Sequence, residues 1–199
     1  SQGIPVLATG NVNTPSVIEE LMGLEPDVIL VAAFGQILKN ELLAIPKITC
    51  LNVHASLLPK YRGAAPIQRA VWNGEKTTGI TIQKMAAKLD TGDILLRKET
   101  PIGDLETSAD IFFRLAVLGG ECSVSALRLI ASGAYRFIPQ DESKATYAKK
   151  IEKGDAIIDW NKPALELFNQ IRALQPWPVA ETTINQRPLK IFRAAIVPG

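Results

Sequence analysis

The sequence predicts an α/β fold with a mostly parallel sheet, followed by the start of a second, partly β domain. In its first half, helical patterns alternate with short apolar runs rich in β-branched residues, which is typical of parallel βαβ units. After residue 133 the pattern changes to a polar segment, one helix and a hairpin. We therefore predict a first domain over residues 1–133, a linker over 134–147 and a second domain over 148–199.

The first domain alternates predicted helices with predicted strands. The run DVILVAA is apolar on both faces, which favours a central strand rather than an edge strand. The other elements follow from hydrophobic periodicity, from Pro at the first helical position and from Gly after the last one. Helices are predicted at 14–23, 36–43, 67–72 and 108–132, strands at 27–33, 48–53, 79–85 and 94–100, and a turn at 88–93.

The predicted second domain stops before its sheet could close. A strand is predicted at 155–160, a helix at 164–174, and a hairpin over 179–196 that turns at Asn185-Gln186. The chain begins with Ser-Gln-Gly-Ile-Pro, without an initiator Met. We therefore expect a fragment that lacks segments at both ends, with an exposed apolar flank beside the strand at 27–33.

Composition excludes several classes of protein. Hydrophobic residues make up 47% of the chain and charged residues 21%, as in ordinary soluble domains, and the longest apolar run, 28–34, is too short to cross a membrane. Two cysteines, Cys50 and Cys122, form no disulfide framework, so we expect a reducing compartment and interpret Cys50 as a small core residue. A single histidine excludes an ordinary zinc site, and we expect no metal.

Charge is distributed unevenly along the chain. Residues 1–143 carry 13 Lys and Arg against 15 Asp and Glu, whereas residues 144–199 carry 9 against 5. A basic second domain is a weak indication of a polyanionic partner. An ordinary solvated surface explains the same excess equally well.

One predicted strand end carries side chains that could do chemistry. Asn52 and His54 lie two residues apart, so both point to the same side of the strand. An imidazole can carry a proton, and an amide N–H can stabilise an oxyanion. A carboxylate that orients the imidazole is also needed, and Asp90 and Asp93 in the predicted turn are the candidates. The alternative is that the histidine is structural and the two acids serve the turn.

Two segments of the sequence give a more specific signal. Residues 51–66 read LNVHASLLPKYRGAAP, and residues 88–94 read KLDTGDI. Together they resemble the two signature segments of the family of hydrolases and transferases that use formyltetrahydrofolate. The resemblance runs from about residue 4 to the end of the chain. It implies a Rossmann-like formyltransferase fold, 10-formyltetrahydrofolate as the formyl donor, and no metal.

The resemblance also implies which residues form the site. In the family, an Asn-x-His pair and a later Asp are catalytic, and they fall here on Asn52, His54 and Asp90. The segment after the histidine lies against the folate, and the loop before the aspartate holds the pterin ring through backbone groups. The implied folate-binding residues are Ser56, Leu57, Leu58, Pro59, Met85, Ala86, Ala87, Lys88 and Leu89.

Further segments resemble the branch of the family that formylates methionine on initiator tRNA. They read GAAPIQ at 63–68, TYAKK at 146–150, IDW at 158–160 and IRALQPWP at 171–178. This resemblance implies initiator Met-tRNA as the acceptor, an OB-like β-barrel as the second domain, and a monomer in the bacterial cytosol or an organelle matrix. The family's opening strand and glycine-containing loop have no counterpart in this sequence, and the barrel is present only as a beginning.

Two other hypotheses stay open at this point. The acceptor could be a sugar-nucleotide amine, glycinamide ribonucleotide or water, with the same fold and donor. The chain could also be a catalytically silent nucleotide-binding module with a basic second domain. Turnover of the donor with a soluble amine acceptor distinguishes the enzymes from the silent module.

Overall fold

The first part of the chain is built on a four-stranded sheet flanked by helices. The computed structural model describes residues 3–197, so residues 1–2 and 198–199 of the two predicted domains lie outside it. No helix in the described range is both long and apolar enough to span a membrane. The strands are β1 (Val28–Ala32), β2 (Thr49–His54), β3 (Arg62–Gly63), β4 (Thr77–Lys84), β5 (Ile94–Pro101), β6 (Tyr147–Ala148), β7 (Ala180–Ile184) and β8 (Arg187–Ile191). The helices are α1 (Pro15–Gly23), α2 (Asn40–Leu43), α3 (Pro66–Trp72), α4 (Ser108–Ala131) and α5 (Ala164–Ala173), with 3-10 turns at Glu142–Lys144 and Lys153–Ala156.

The sheet is mixed, with the strand order β1–β2–β4–β5. Strands β1 and β2 are parallel and joined through α2, as the βαβ pattern predicts. Strand β4 runs antiparallel to both of its neighbours. It pairs this way with β5 because the two strands are the arms of one hairpin, and a hairpin reverses the chain. The α/β class is therefore confirmed, while the predicted parallel pairing holds only on the β1 side of the described sheet.

The main core lies between the sheet and the helices α3 and α4. Helix α4 packs on β4 and β5, and α3 packs beside it. Helix α4 begins at a capping box, in which Thr107 and Asp110 each accept a hydrogen bond from the main-chain N–H of the other. The apolar side chains that share this core include Leu51, Val71, Ile80, Ile82, Ile111, Leu115 and Ala126.

Strand β1 lies at the edge of the described sheet rather than at its centre. Leu30, in the middle of the strand, is 37% exposed. Within residues 3–197 the strand has a neighbour on one side only, so its central place in a larger sheet stays a prediction. The exposed apolar flank predicted here is present, and it continues through Phe34 and Ile37.

The second domain starts with irregular structure. A strand is predicted at 155–160, but the chain there forms the 3-10 turn Lys153–Ala156 and a single bridge to β7. A capping box between Glu152 and Asp155 starts this turn, and the Gln170 amide of α5 donates to the main-chain oxygens of Asp155 and Ile157, so neither oxygen is free for a strand ladder. Helix α5 and the antiparallel hairpin of β7 and β8 form as predicted.

The segment predicted as a linker, residues 134–147, is held against the first domain. Ile138 exchanges two main-chain hydrogen bonds with Ile94 at the start of β5. Further along, β6 pairs in parallel with β3. The regions on either side also meet, since α5 packs on α3. The segment is therefore an ordered part of the fold and not a free spacer.

Candidate active site

The three residues implied to be catalytic lie together at the end of β2. The Asn52 amide nitrogen lies 3.4 Å from Asp90 Oδ1, and His54 Nδ1 lies 3.6 Å from the same oxygen. The side chains of His54 and Asp90 are nearly buried, with 6% and 8% exposed. The predicted alternation of the strand is also present, since Val53 packs on the opposite side, toward Gly119 of α4.

Asp90 is the residue that the surrounding donors share. The Gly63 main-chain N–H donates to Oδ2 at 2.9 Å, and Gln83 Nε2 donates to Oδ1 at 3.0 Å. Asp90 has a φ of 52°, in the left-handed region that Asp tolerates better than most residues. Its carboxylate thus accepts from groups on β2, β3 and β4, which fixes its orientation.

The imidazole of His54 is held from both sides. Nε2 lies 2.9 Å from the main-chain oxygen of Tyr61, and because a carbonyl oxygen can only accept, this nitrogen carries a proton. In the neutral ring Nδ1 then has the free lone pair, and this nitrogen faces Asp90. The site therefore presents a proton-accepting nitrogen beside a carboxylate that can balance the charge of the protonated ring.

The oxygen that holds His54 belongs to a residue with an unusual backbone. Tyr61 has a φ of 61°, a conformation that costs energy for a bulky side chain. Its hydroxyl donates to Glu75 at 2.8 Å and accepts from Asn73 at 3.1 Å, and burial raises the pKa of the phenol to about 12. Its main-chain N–H donates to Thr146 Oγ1 at 2.9 Å. These contacts hold Tyr61, and through it the imidazole, in place.

Close packing fixes the turn that carries Asp90. A Cβ at Gly92 would lie 1.7 Å from the main-chain oxygen of Lys84, so only glycine fits. The Lys84 N–H donates to the main-chain oxygen of Asp93 at 2.8 Å. Of the two acids that the sequence offers, Asp90 is therefore the one beside His54, and Asp93 contributes a main-chain oxygen to the turn.

The residues implied to bind folate fall into one buried and one open segment. In residues 56–59, three of the four side chains are buried and Leu57 is half-buried. In residues 85–89, Met85 is half-buried and the other four are exposed. The first segment forms a fixed wall that follows His54, and the second is a surface loop. Contact of either segment with folate stays a prediction.

Sequence reasoning missed three polar residues around the site. Gln83 pairs with Asn52 across the β2–β4 ladder, and a long polar side chain next to Ile82 in a predicted strand was a signal that it faces a polar group. Gln140 lies in the segment predicted as a linker, and its amide nitrogen is 2.9 Å from the Asp90 main-chain oxygen. Arg62 is fully buried beneath it. Nothing in the sequence indicates that Gln140 and Arg62 meet at this site.

Two other kinds of reactive group were considered for the site, namely the Cys50 thiol and a cluster of metal-binding side chains. Cys50 is buried, and burial raises the pKa of its thiol to about 11, so it is a core residue as predicted. Across residues 3–197, no group of three His, Cys, Asp or Glu side chains is arranged to hold a metal ion. That the reaction needs no metal stays a prediction.

Comparison with known proteins identifies the family. Residues 7–127 match the formyl transferase family, and residues 150–199 match the formyl transferase C-terminal domain. The chain belongs to the formyl transferase family. Methionyl-tRNA formyltransferase of Listeria monocytogenes serotype 4a (strain HCC23) is 46% identical over 191 residues, which are 96% of this chain. The chain spans only 61% of the length of that relative.

Solved structures of related proteins have the same fold. Methionyl-tRNA formyltransferase from Clostridium thermocellum matches with a TM-score of 0.75 at 22% identity, over 96% of this chain and 80% of that one. HypX from Aquifex aeolicus, in complex with tetrahydrofolic acid, matches with a TM-score of 0.75 at 21% identity, over 90% of this chain and 31% of that one. The Rossmann-like formyl transferase fold that the resemblance implies is therefore confirmed.

Proposed function

We propose that the protein transfers the formyl group of 10-formyltetrahydrofolate to the α-amino group of methionine on initiator tRNA. The observation that carries the proposal is the convergence of Asn52, His54 and Asp90 in a member of the formyl transferase family. A relative at 46% identity is a methionyl-tRNA formyltransferase. The protein acts as a monomer where protein synthesis starts, in the bacterial cytosol or an organelle matrix.

The reaction exchanges one carbon–nitrogen bond for another. The neutral amine attacks the formyl carbon, a bond forms between the two, and the bond from that carbon to the folate nitrogen breaks. The amine loses one proton and the departing folate nitrogen gains one, so the site must take up a proton and return it. Between these two bond changes, the formyl oxygen carries a negative charge.

His54 is the group placed to carry the proton. Its Nδ1 can accept because Nε2 donates to the Tyr61 main-chain oxygen. The protonated ring lies 3.6 Å from the Asp90 carboxylate, which balances its charge. Return of the proton to the folate nitrogen restores the neutral ring for the next turnover.

Asn52 is placed to stabilise the negative formyl oxygen. Its amide nitrogen has two hydrogens, and only one is needed for the contact with Asp90 at 3.4 Å. A donor held in position in this way lowers the barrier by about 3 kcal/mol, roughly a hundredfold in rate. The positive charge on the protonated His54 acts on the same oxygen.

The folate donor binds between the two segments beside these residues. The loop 85–89 is open to solvent, and its main-chain groups can pair with the donors and acceptors on the edge of a pterin ring. The wall at 56–59 limits the space on the other side. Bound in this way, the folate directs its formyl group toward the end of β2.

The acceptor part of the proposal depends on the second domain. Four exposed lysines, called here the lysine patch, lie before and after β6 in the chain: Lys144 in the predicted linker, and Lys149, Lys150 and Lys153 in the second domain. Strand β6 pairs with β3, and Gly63 of β3 donates to Asp90. A polyanion bound along the lysine patch therefore runs close to the catalytic residues.

A turnover assay with several acceptors tests the proposal. The purified protein is supplied with 10-formyltetrahydrofolate and with Met-tRNA, a sugar-nucleotide amine, glycinamide ribonucleotide or water alone. Released folate and the formylated product are then measured. We expect formylated Met-tRNA to form faster than any other product.

The other outcomes of the assay separate the alternative hypotheses. A product formed only with a small amine would change the acceptor and keep the chemistry. Folate released without an added acceptor would indicate a hydrolase. No turnover with any acceptor would contradict the proposal and favour a silent binding module.

A further inference from the structure

A buried arginine connects the segment after the first domain to the catalytic site. Arg62 is 0% exposed, and its Nε and one terminal nitrogen donate to Gln140 Oε1 at 3.1 and 2.8 Å. Its terminal nitrogens also donate to the two oxygens of Glu142 at 2.9 and 2.6 Å. The hydrogen bonds to Glu142 raise the pKa of the guanidinium, so Arg62 stays charged although it is buried.

Arg62 determines the orientation of the Gln140 amide. A guanidinium has only donors, so it must meet the amide oxygen. The amide nitrogen therefore faces three oxygens, which are Gln83 Oε1 at 3.1 Å, the Asp90 main-chain oxygen at 2.9 Å and the Gly92 main-chain oxygen at 2.7 Å. All three oxygens can only accept, so both hydrogens of the amide nitrogen find acceptors while the amide oxygen meets the guanidinium.

Gln140 in turn determines the orientation of the Gln83 amide. Because Gln83 Oε1 accepts from Gln140, Gln83 Nε2 faces Asp90 and donates to Oδ1 at 3.0 Å. The chain of hydrogen bonds therefore runs from the Arg62 guanidinium, which can only donate, through the two amides to the Asp90 carboxylate, which can only accept when ionised. Reversing either amide would bring two oxygens together without a hydrogen between them.

We propose that Gln140 is a positioning residue for formyl transfer. It fixes the turn that carries Asp90 and, through Gln83, the orientation of the Asp90 carboxylate beside His54. The inference rests on the proposed function, because the position of Asp90 matters to turnover only if Asp90 takes part in it. Residues 134–147 thereby complete the catalytic site in addition to connecting the two domains.

The substitution Gln140→Glu tests this role directly. It keeps an oxygen for Arg62 but replaces the donor nitrogen by a second oxygen, which then faces three acceptors. We expect kcat to fall roughly tenfold to a hundredfold, the effect of a displacement of about 1 Å at a reacting group. The KM for the folate donor should change less than kcat does, because Gln140 donates to the main chain at Asp90 and Gly92 and to no residue of the segments 56–59 and 85–89.

A spectroscopic measurement separates positioning from stability. His54 is the only histidine in the sequence, so the ¹⁵N resonances of its ring are assigned without ambiguity. These resonances report which ring nitrogen carries the proton, and we expect them to shift in folded Gln140→Glu, where Asp90 no longer holds its place beside Nδ1. A contact that serves stability alone would lower the unfolding temperature and leave the ring resonances unchanged.

Two further variants complete the experiment. Gln175→Glu is the matched control, because it makes the same chemical change in the second domain, where Gln175 donates to the Phe192 main-chain oxygen at 2.8 Å. It should leave kcat and the His54 resonances unchanged. Gln140→Asn keeps the amide but withdraws it by one methylene, and it replaces Gln140→Glu if that variant does not fold.

The result that overturns the inference is a folded Gln140 variant with wild-type kcat and unshifted His54 resonances. Failure of both Gln140 variants to fold also overturns it, because Gln140 would then maintain stability rather than geometry. Asp90→Asn, measured alongside, keeps the two hypotheses apart. Full activity in Asp90→Asn contradicts the proposed function, whereas an inactive Asp90→Asn beside an active Gln140→Glu overturns only the role of Gln140.

Discussion

Charged side chains are buried and paired around Asp90, whereas they are exposed to solvent in the lysine patch. Around Asp90 the ionisable side chains of His54 and Arg62 are buried, and each has hydrogen-bonding partners. In the lysine patch the side chains are exposed, and Lys144 pairs with Asp141 at the surface at 3.0 Å. Breaking a buried pair costs several kcal/mol, whereas exposed charges are mobile and screened by salt.

The difference shows what each region depends on. The buried region depends on geometry, since each group has one orientation that satisfies its neighbours. In its proposed role the lysine patch depends on the number and sign of its charges, since a phosphate released by one lysine can be bound by a nearby one. Substitutions in the two regions should therefore differ in size and in the kinetic constant that they change.

The largest effect is expected from the three residues proposed to be catalytic. His54→Ala, Asn52→Ala and Asp90→Asn should each lower turnover roughly a hundredfold or more, because each removes a proton carrier, an oxyanion donor or the partner of the imidazole. Combined variants should lose far less than the product of the single losses, because the residues act as a unit. Turnover is measured at saturating donor, and circular dichroism checks the fold.

Asp93→Asn is the matched control for Asp90→Asn, since it makes the same change in the same turn. Asp93 contributes a main-chain oxygen there, so turnover should change by less than about threefold. Near-normal turnover in folded His54→Ala would contradict the catalytic role proposed for His54 and its neighbours.

A smaller loss is expected when the turn is displaced without touching a catalytic side chain. The methyl group of Gly92→Ala would lie 1.7 Å from the Lys84 main-chain oxygen, so the turn must move and Asp90 with it. We expect turnover to fall about tenfold and the free energy of unfolding to fall by about 1–3 kcal/mol. Denaturant unfolding and steady-state kinetics measure the two effects.

Gly120→Ala provides the comparison for Gly92→Ala. Gly120 is an exposed position within α4, where an added methyl group meets nothing within 4 Å. This substitution should raise the free energy of unfolding by about 0.5–1 kcal/mol and leave turnover unchanged. If both alanine variants kept wild-type turnover, the turn would not require the close packing inferred here.

Charge reversal in the lysine patch should change binding and not chemistry. Lys149→Glu combined with Lys150→Glu should raise the KM for Met-tRNA and reduce the slope of its dependence on salt by about two, one unit for each phosphate that is no longer neutralised. The KM for the folate donor should stay within about twofold, because the residues implied to bind folate lie in the first domain. Lys47→Glu, an exposed reversal in the first domain, serves as the control.

If the Lys149→Glu and Lys150→Glu double variant kept its KM for Met-tRNA, and activity did not respond to salt, a small-molecule acceptor would be favoured. The assignment of Asn52, His54 and Asp90 would be unaffected by that result. The chemistry at these residues does not depend on which amine is formylated.

The smallest effect is expected at Cys50, which lies two residues before Asn52 in β2. Burial raises the pKa of its thiol to about 11, so at about pH 8 the thiol is protonated and reacts slowly with alkylating agents. Cys50→Ala should keep turnover within about twofold, and alkylation of Cys50 in the native protein should be slow until denaturant is added. Rapid labelling of the native thiol, followed by mass spectrometry, would contradict its interpretation as core packing.

Local rules were sufficient for several elements and for part of the site. The two-residue period of a strand placed Asn52 and His54 on one face, and the structure has them there. Helix α4 and the β7–β8 hairpin follow from periodicity and turn residues that are close together in the chain. The signature LDTGD indicated which segment supplies the carboxylate, although the choice of Asp90 over Asp93 came from family resemblance.

What the tertiary structure decided depends on contacts between distant residues. Whether the apolar run at 27–33 is central or at an edge depends on which strands lie beside it, and its own composition is the same in both cases. Gln140 contacts Asp90, which lies 50 residues earlier in the chain. Because Gln140 is a polar residue in a polar segment, the sequence gives no signal of that contact. Strand and helix periods are local properties, so the sequence determined the pair on β2 and most of the elements, although not the irregular segment at 155–160. Hydrogen-bond partners between segments form only when the core brings those segments together, and therefore the orientation of Asp90 was decided by packing.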